Sequence, residues 1–468
     1  MKRFVLALFC MALAIASKAL DIEISAGGLQ AAVSDPAEVT SLTVKGSVDA
    51  SDFDFIATHM DALRQLDLSG ATVSAYNGEA LQGLRYFEAD VLPAMLLAGS
   101  SIEKISLPRG LKAIGDCALA GTRLTAVELP STLQRVGSGA FAGCRELTRL
   151  VSACPVLGDG AFASCHKLAL VKFTAATRLG ARTFADCTAL ADVEGSADVT
   201  AIGDDAFAGC TALGAFDFGP ALGRIGARAF SGSGLVEADM SGCSKLAAIG
   251  AAAFSRCHAL KSLTVPAGCD MADASALALN SPELVEVKMA VTEIPAYALA
   301  SNTSVSHIDL PPGLEYIGDH AMAGMTGLKE INATGLNSVP ELGKEVWRGV
   351  KQDEVVLTTA SDLANAFRSA AQWQEFDINY SSLGVDVIGV SPTDVSARFV
   401  GPMLQVKCTG NPVATITVAD VEGHILATLT PDADGMATLD TAAWATDIYL
   451  LAATGSNFRA TLKLVRTN

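Results

Sequence analysis

The sequence repeats one unit along more than half of its length, from residue 102 to about residue 350. The clearest copy, residues 124–146, reads LTAVELPSTLQRVGSGAFAGCRE, and the unit recurs every 21 to 25 residues. A period of this length is typical of a solenoid, in which each repeat buries its apolar face only against the next one. Further copies begin at Ile102, Leu147, Leu168, Leu190, Leu213, Leu235, Leu260, Leu284, Val305 and Leu328.

Each unit predicts a short strand, a turn and an aromatic plug. Val127 and Leu129 point inward from the strand while Glu128 between them faces solvent. Pro130 cannot donate a ladder hydrogen bond and ends the strand, and Gly137 permits the bend that follows. Four residues after this glycine an apolar side chain fills the core: Phe141, Phe162, Phe184, Phe207, Phe230 and Phe254, with Leu119, Leu299 and Met322 in weaker copies.

Five of the eleven cysteines share one position of the unit, three residues after the plug. Stacked at the repeat spacing, they are expected to form a buried ladder of small apolar groups. Because Ser233, Asn302 and Met325 take this position in other copies, we expect free thiols. Neighbouring rungs would lie roughly 5 Å apart, so a disulfide between converging side chains stays open as the alternative. The ladder residues are Cys144, Cys165, Cys187, Cys210 and Cys257.

The I-G-x-x-A-F-x-x-C pattern of these units resembles the BspA-like leucine-rich repeat family of bacterial surface proteins. Residues 38–73 are similar to the amino-terminal cap of that family, through the segments 41–46 and 66–71. The units that begin at Leu260 and Leu284 depart from the pattern, because they lack both the aromatic plug and the ladder cysteine. The resemblance implies a leucine-rich repeat solenoid of short parallel strands with an irregular or short helical convex side.

The chain is predicted to have five segments. Residues 1–19 are typical of a signal peptide, since Lys2 and Arg3 precede an apolar run and a small-x-small signature that favours cleavage after Ala16 or Ala19. An amino-terminal cap with the first irregular repeats follows at 20–101, and the regular repeats occupy 102–350. The remaining predicted segments are a carboxyl-terminal cap at 351–383, with Trp347 and Trp373 as cap-core residues and a helical stretch, and a small all-β sandwich at 384–468.

The tail from residue 384 alternates β-branched segments with Gly, Asp, Asn and Pro, which predicts a small antiparallel sandwich. Its clearest strands are 414–418 and 447–451, and Glu422 with Gly423 is a hairpin signal. This tail is similar to carboxyl-terminal sorting or anchoring domains of secreted proteins in the same bacterial group. The resemblance is carried by residues 421–423, 439–440, 448–449 and 463–465.

The net charge of −17 and the pI near 4.8 argue against nucleic-acid binding, which needs clustered Lys and Arg. The sequence contains no H-E-x-x-H, no phosphate-binding loop, no nucleophile elbow and no cysteine pair at zinc spacing. His166 and His258 each follow a ladder cysteine, but adjacent residues of a turn point apart, so a Cys-His nucleophile is not expected. We therefore expect a binding protein with no catalytic residues, no metal and no cofactor.

The outward strand positions of successive units form the predicted binding surface on the concave side of the solenoid. Basic residues occur among them at Lys104, Arg149, Lys172, Lys288 and His307, but from Asp192 to Asp239 the positions carry no positive charge. The candidate ligand-binding residues are Glu128, Asp192, Glu194, Asp217, Glu237, Asp239, Glu286 and Asp309. The alternative reading is that these charges only keep an exposed sheet soluble and unpaired.

Adhesion to extracellular or host proteins is the function that the BspA-like resemblance implies. The alternative is a surface glycan-binding or scaffolding protein. Exposed aromatic side chains on the concave face would favour glycans, and the outward positions hold almost none. We expect a secreted or cell-surface protein without an integral membrane segment once the signal peptide is removed.

Overall fold

The computed structural model describes residues 18–81, 84–175, 177–381, 395–400, 403–408, 413–420, 424–432, 434–442, 444, 448–455 and 459–465. Residues 1–17 of the predicted signal peptide and the hairpin signal at Glu422 and Gly423 lie outside this range. The helices are α1 (Leu29–Ala32), α2 (Ala50–His59) and α3 (Ala364–Ser369), with short 3-10 turns at Pro36–Glu38, Ser196–Asp198, Gln352–Glu354 and Trp373–Glu375.

Two compact units divide the chain. One comprises the residues up to Val305 together with 317–327 and 343–349, and the other comprises 306–316, 328–342 and the residues from 350 onward. Most of the repeats predicted from the sequence belong to the first unit. The second unit contains the last long strands and the predicted sandwich.

Long strands from successive repeats pair in parallel, as the repeat pattern predicts. In the first unit they are β1 (Lys18–Ile24), β2 (Val39–Val48), β3 (Gln65–Val73), β7 (Lys104–Ser106), β9 (Ala126–Glu128), β11 (Arg149–Ser152), β13 (Leu170–Phe173), β15 (Asp192–Glu194), β18 (Glu237–Asp239), β20 (Ser262–Val265) and β21 (Glu286–Met289). The sheet orders are β1-β2-β3-β7, β9-β11-β13-β15 and β18-β20-β21. In the sheet β9-β11-β13-β15, one buried column contains Val127, Leu150, Val171 and Val193.

The short strands form a separate parallel sheet. In most repeats they end just before the recurring glycine that Gly137 represents. The sheet has the order β19-β17-β16-β14-β12-β10-β8-β6. The strands are β6 (Val91–Leu92), β8 (Ala113–Ile114), β10 (Arg135–Val136), β12 (Val156–Leu157), β14 (Thr177–Leu179), β16 (Val199–Ile202), β17 (Arg224–Ile225) and β19 (Ala248–Ile249). Equivalent short strands are β22 (Glu293–Ile294), β24 (Tyr316–Ile317) and β26 (Glu341–Leu342), and an antiparallel hairpin is formed by β4 (Tyr76–Leu81) and β5 (Leu84–Phe87). The repeat pattern does not predict these short strands, because each of them has only two to four residues.

The six predicted phenylalanine plugs form one stacked column. Phe141, Phe162, Phe184, Phe207, Phe230 and Phe254 are fully buried. Successive ring centroids lie 4.9 to 5.6 Å apart, and the rings are within 16° of parallel. Offset stacking of this kind adds to the free energy gained by burying the rings. The weaker copies keep the column, because Leu119, Leu277, Leu299 and Met322 are also fully buried.

Each ladder cysteine donates its thiol hydrogen to a main-chain carbonyl of the preceding repeat. The Sγ of Cys165, Cys187 and Cys210 lies 3.2 to 3.3 Å from the carbonyl oxygen of the plug one repeat earlier. Cys257 makes the same bond to Phe230 at 3.1 Å. These thiols are free and buried, as predicted. The position is therefore a hydrogen-bond donor, and the description of it as simply apolar is wrong.

The donor role accounts for the serine and asparagine residues that replace cysteine, but not for Met325, which has no hydrogen-bond donor. In the unit that begins at Leu260, Ser281 donates to the carbonyl of Phe254 at 3.2 Å. In the next unit, the side-chain amide of Asn302 donates to Ala278 at 3.0 Å and accepts from the backbone of Ser281 at 2.8 Å. These two repeats lack the aromatic plug and the ladder cysteine, but they keep a buried hydrogen bond to the neighbouring repeat.

The amino-terminal end is closed by α2 and its cap. Asp49 accepts from the backbone of Ser51 at 2.9 Å in a capping box with Asp52. The carboxylate of Asp52 also accepts from the backbone of Gly27 and Leu29 at 2.8 and 2.9 Å, which ties the loop after β1 to the helix. Burial raises the pKa of Asp52, and the three backbone hydrogen bonds oppose that shift.

In the second unit, the long strands β23 (His307–Asp309), β25 (Glu330–Ala333), β27 (Val356–Ala360) and β28 (Asp377–Ser381) form one parallel sheet. The predicted cap at 351–383 therefore continues the strand pairing. Its predicted helical stretch is shorter than expected, because Gln372 adopts a left-handed conformation between α3 and the last 3-10 turn. Trp373 is a cap-core residue as predicted: it is buried, packs against Phe367 and Phe376, and donates its indole hydrogen to Pro340 at 3.1 Å.

Trp347 differs from the prediction. In successive repeats, the backbone N–H of one plug donates to the carbonyl of the residue that precedes the next plug. The N–H of Met322 makes this bond to Val346 at 3.2 Å. Trp347 is therefore the plug of the last repeat and lies outside the predicted cap. It is almost fully buried.

The tail is a two-sheet antiparallel sandwich, as predicted. One sheet has the order β29-β30-β33 and the other β32-β31-β34-β35. The strands are β29 (Val395–Val400), β30 (Met403–Cys408), β31 (Val413–Ala419), β32 (Ile425–Leu429), β33 (Met436–Asp440), β34 (Ile448–Gly455) and β35 (Arg459–Val465). Side chains from both sheets, among them Leu404, Val406, Ile416, Val418 and Leu451, form its core.

Candidate functional site

Seven of the eight predicted ligand-binding residues lie at outward positions of the long strands. Their side chains are exposed, and they alternate with buried residues along each strand. Glu128 ends β9, Asp192 and Glu194 flank Val193 in β15, and Glu237 and Asp239 flank Ala238 in β18. Glu286 begins β21, and Asp309 ends β23 in the second unit. Asp217 is also exposed, but no strand contains it.

Basic partners compensate several of these carboxylates. Lys172 contacts Glu194 at 2.5 Å, on the adjacent strand and in register with it. Lys288 contacts Glu286 at 2.5 Å along its own strand. In the second compact unit, ring nitrogens of His307 lie 3.1 Å from Asp309 and 3.4 Å from Glu330, and this side chain compensates their charge only when it is protonated. Exposed pairs of this kind contribute little stability, but they lower the negative charge that a ligand meets.

The uncompensated acidic charge is concentrated in the middle of the first unit. Among the described residues, Asp192, Asp217 and Glu237 form no ion pair, and neither does Asp239. Asp239 accepts from the backbone of Ser241 at 2.9 Å, and this hydrogen bond lowers the pKa of its carboxyl. These carboxylates come from three successive repeats. We name Asp192, Glu194, Asp217, Glu237 and Asp239 the acidic stripe.

The sheet is interrupted inside the acidic stripe. Residues 214–218, where the unit beginning at Leu213 predicts a strand, form none. Phe216 and Phe218 take the inward positions, and their rings pack against Phe230 with centroids 5.2 and 5.4 Å away. The backbone of Asp217 donates to the hydroxyl of Ser196 at 2.9 Å instead of to a neighbouring strand. The prediction of a regular strand here is therefore wrong.

A groove of about 450 Å³ opens at this interruption. Asp217, Glu237 and Asp239 supply its carboxylates, and Val236, whose surface is 41% exposed, supplies an apolar wall. We name it the acidic groove; its remaining lining residues are Gly214, Ala215, Phe216 and Phe218. Sequence reasoning identified the charges but missed the groove. The signal that could have revealed it is the Phe-Asp-Phe run, because no other unit has an aromatic residue at both inward strand positions.

The Cys-His pairs do not form a nucleophilic site. Cys165 is buried and donates to the carbonyl of Phe141, whereas a ring nitrogen of the exposed His166 lies 3.0 Å from the carbonyl of Asp186. Two effects raise the pKa of the Cys165 thiol: a hydrogen bond with Cys187, which is the larger, and burial. Burial also raises the pKa of Cys144 and of Cys210 to about 12. A thiol with so high a pKa is not a nucleophile at neutral pH.

Within the described residues, no group of three or more His, Cys, Asp or Glu side chains is arranged to hold a metal ion. No helix in this part of the chain is long and apolar enough to cross a membrane.

The repeats match the model of the BspA type leucine-rich repeat region in six copies, over residues 92–214, 149–246 and 223–352. Together these matches span more than half of the sequence. The chain belongs to the BspA-type leucine-rich repeat family. The sequence resemblance is thereby confirmed, and the solenoid fold agrees with it. No curated protein matches the chain.

The chain is similar to solved structures of several bacterial proteins. A leucine-rich repeat protein from Bacteroides ovatus is 20% identical, covers 77% of this chain and 87% of its own, and has a TM-score of 0.48. A leucine-rich cell surface protein from Faecalibacterium prausnitzii is 21% identical over 50% of this chain and 83% of its own, with a TM-score of 0.29. The pneumococcal vaccine antigen PcpA is 13% identical over 72% and 80%, with a TM-score of 0.30.

Proposed function

We propose that this BspA-type protein is an adhesin-like binding protein, secreted or displayed on a bacterial surface, that docks a basic segment of an extracellular protein on its acidic stripe. The observation that carries the proposal is the acidic groove. It brings three uncompensated carboxylates from two repeats together above two phenylalanine rings.

The groove suits a lysine or arginine side chain of a protein partner. Such side chains carry an apolar stem and a cationic head. The exposed Val236 and the edges of Phe216 and Phe218 offer contact for the stem, and the carboxylates of Asp217, Glu237 and Asp239 offer contact for the head. Asp192 in the preceding strand, which forms no ion pair among the described residues, extends the negative field that steers a basic surface toward the groove, whereas Glu194 beside it is paired with Lys172.

The alternative of glycan binding at this face has less support. Sugar rings are held by stacking on exposed aromatic faces, and the two aromatic residues of the groove are almost fully buried. The proposal is for binding without catalysis. Glu128 and Glu286 lie at outward strand positions of the first compact unit, and Asp309 lies at one of the second. We assign all three a supporting role, because the groove does not contain them.

Export and surface attachment are part of the proposal. Residues 1–19 would direct secretion, and the tail sandwich would serve sorting or anchoring. Lys18 begins β1 and contacts Asp35 at 3.1 Å. Cleavage after Ala16 would leave this strand intact, whereas cleavage after Ala19 would remove its first two residues.

The test compares two variants with the same change in charge. D192N/E194Q/D217N/E237Q/D239N neutralises the acidic stripe. E38Q/E79Q/E88Q/E293Q/E315Q neutralises five exposed carboxylates elsewhere that form no ion pair among the described residues. Both sets lie on the surface, where single changes usually cost within about 0.5 kcal/mol of stability. Both variants should therefore fold like the wild type.

Affinity is measured against a panel of immobilised extracellular-matrix and plasma proteins at low and physiological salt. We expect the stripe variant to lose about tenfold or more in affinity for the partner that the wild type binds, and the control variant to change little. Wild-type binding should weaken with salt, because charges more than about 8 to 10 Å apart are screened at physiological ionic strength. Equal affinities of the two variants would reject the acidic stripe as the docking surface.

A further inference from the structure

A second and larger groove lies in the turns that lead into the long strands of the first repeats. Its volume is about 780 Å³. A difference in turn length accompanies it: one residue, Arg123, separates Thr122 from Leu124, whereas two residues separate Cys144 from Leu147 in the next repeat. The lining residues are Glu103, Gly121, Thr122, Arg123, Thr125, Gly143, Arg145 and Glu146, and we name this surface the turn groove.

The turn groove carries two arginines whose charge is not compensated. Lys167 contacts Glu146 at 2.6 Å, and Arg64 contacts Glu103 at 3.7 Å, so basic side chains already pair with both carboxylates of the lining. Within the described residues Arg123 and Arg145 form no ion pair, and both are exposed. The turn groove is thus locally basic on a chain whose net charge is −17.

Glycines keep the floor of the turn groove open. Gly121 and Gly143 have φ near +70° and occupy the same position in successive turns. A Cβ built on Gly143 would have only backbone atoms of Gly121 near it, at 4.0 Å. The following repeats place Ser164 and Asp186 at this left-handed position. The fold therefore tolerates side chains at this turn position. The turn groove is open because Gly121 and Gly143 have none.

We infer that the turn groove is a binding site for an acidic saccharide, one that carries sulfate or carboxylate groups beside free hydroxyls. Guanidinium groups form strong, often bidentate hydrogen bonds with sulfate and carboxylate oxygens. The carboxylates of Glu103 and Glu146 accept hydrogen bonds from sugar hydroxyls, which an anion without donors cannot supply. The volume of about 780 Å³ lies within the range of small-molecule pockets, about 300 to 1,000 Å³.

An acidic peptide fits the same lining less well. The lining has no aromatic or large aliphatic side chain against which a peptide side chain could bury apolar surface. A row of peptide carboxylates would also approach Glu103 and Glu146 without offering them hydroxyl donors. The site is separate from the acidic stripe, so this inference stands or falls independently of the proposed protein partner.

The probes are a fully sulfated hexasaccharide from heparin and a hexasaccharide from hyaluronan, which carries carboxylates only. A poly-glutamate peptide of similar charge is the competitor. R123Q/R145Q removes the two guanidinium groups. R135Q/R178Q makes the same change in charge at exposed residues of the short strands β10 and β14. Titration calorimetry at physiological salt gives each affinity.

We expect the wild type to bind at least one hexasaccharide, R123Q/R145Q to lose at least about tenfold in affinity, and R135Q/R178Q to retain it. Absence of wild-type binding to both hexasaccharides would overturn the inference. So would an equal loss in the two double variants, which would indicate only a general electrostatic attraction. Binding of poly-glutamate as tight as that of the hexasaccharides would replace the saccharide by an acidic peptide.

A second pair of variants tests the groove itself without touching the arginines. G143D places a carboxylate in the turn groove, and G143N places a neutral side chain of the same size there. Asp186 and Asn280 already occupy this turn position in other repeats, so both variants should fold. We expect G143D to abolish saccharide binding and G143N to weaken it less. Unchanged binding in both variants would show that the saccharide binds elsewhere.

Discussion

At the scale of single residues, the ladder position shows how far the sequence pattern reaches. The recurrence of cysteine predicts burial and free thiols, and both are observed. What recurrence alone does not show is the bond to the carbonyl of the preceding plug, because that bond joins residues 24 to 27 positions apart. The replacements by serine and asparagine were the available signal, since both share a hydrogen-bond donor with cysteine.

Cys210 offers a direct test of the donor. Its Sγ lies 3.2 Å from the carbonyl oxygen of Phe184. We expect Cys210→Ala, which loses the donor, to lower the free energy of unfolding by about 1 to 3 kcal/mol, because a buried carbonyl loses its partner. Cys210→Ser, which leaves a side chain of nearly the same volume as alanine but keeps a donor, should cost less than Cys210→Ala. Chemical denaturation of both variants gives the two values, and a serine variant less stable than the alanine variant would restore the purely apolar account.

At the scale of elements, the long strands, the turns and the plugs could be predicted because every repeat restates them. The short-strand sheet escaped prediction, since each repeat gives it only two to four residues. The interruption at residues 214–218 escaped for a different reason. It depends on a contact with the previous repeat, where the 3-10 turn Ser196–Asp198 packs beside Gly219, and no pattern within one unit records that contact.

Two glycines at the ends of this segment allow the contact with Ser196–Asp198 to be tested against the effect of replacing a glycine in general. A Cβ on Gly219 would clash with the carbonyl oxygen of Ala197, whereas a Cβ on Gly214 would meet nothing within 4 Å. We expect Gly219→Ala to lower the free energy of unfolding by about 2 kcal/mol or more and Gly214→Ala to change it by less than about 1 kcal/mol. Thermal denaturation of the two variants measures the difference. Equal effects would show that the packing of Ser196–Asp198 on Gly219 does not shape the interruption.

At the scale of the whole molecule, the family and the fold follow from the repeat, while the division into domains stays a prediction. The sandwich has a core made of its own side chains, including Leu404, Ile416 and Leu451. A domain with its own core folds independently.

A chain that ends after Ser381 tests this division. Because the sandwich buries its apolar residues internally, we expect the shortened chain to unfold within a few degrees of the melting temperature of the solenoid in the full chain. Differential scanning calorimetry of the two chains makes the comparison. A drop of many degrees would mean that the tail stabilises the repeats and belongs to their cap.

The acidic groove is the part of the account that no single sequence signal supplied. Its carboxylates were predicted, but its shape comes from Phe216 and Phe218 turning inward and from the strand that is missing beside them. Exposed charges occur on any solvated sheet surface and do not by themselves indicate a binding site. The acidic groove adds an opening beside the charges, into which a side chain of a partner can enter.

Site-specific photo-crosslinking tests this claim most directly, because the chain offers two valines of matched exposure. Val236 borders the acidic groove and is 41% exposed, and Val156 lies in the short strand β12 and is 39% exposed. A photoreactive phenylalanine analogue is placed at each position in turn, and the partner found in the binding panel is added. The account predicts cross-links to the partner from position 236, reduced by added salt, and few from position 156. Cross-links of equal yield from both positions, or from position 156 alone, would contradict it.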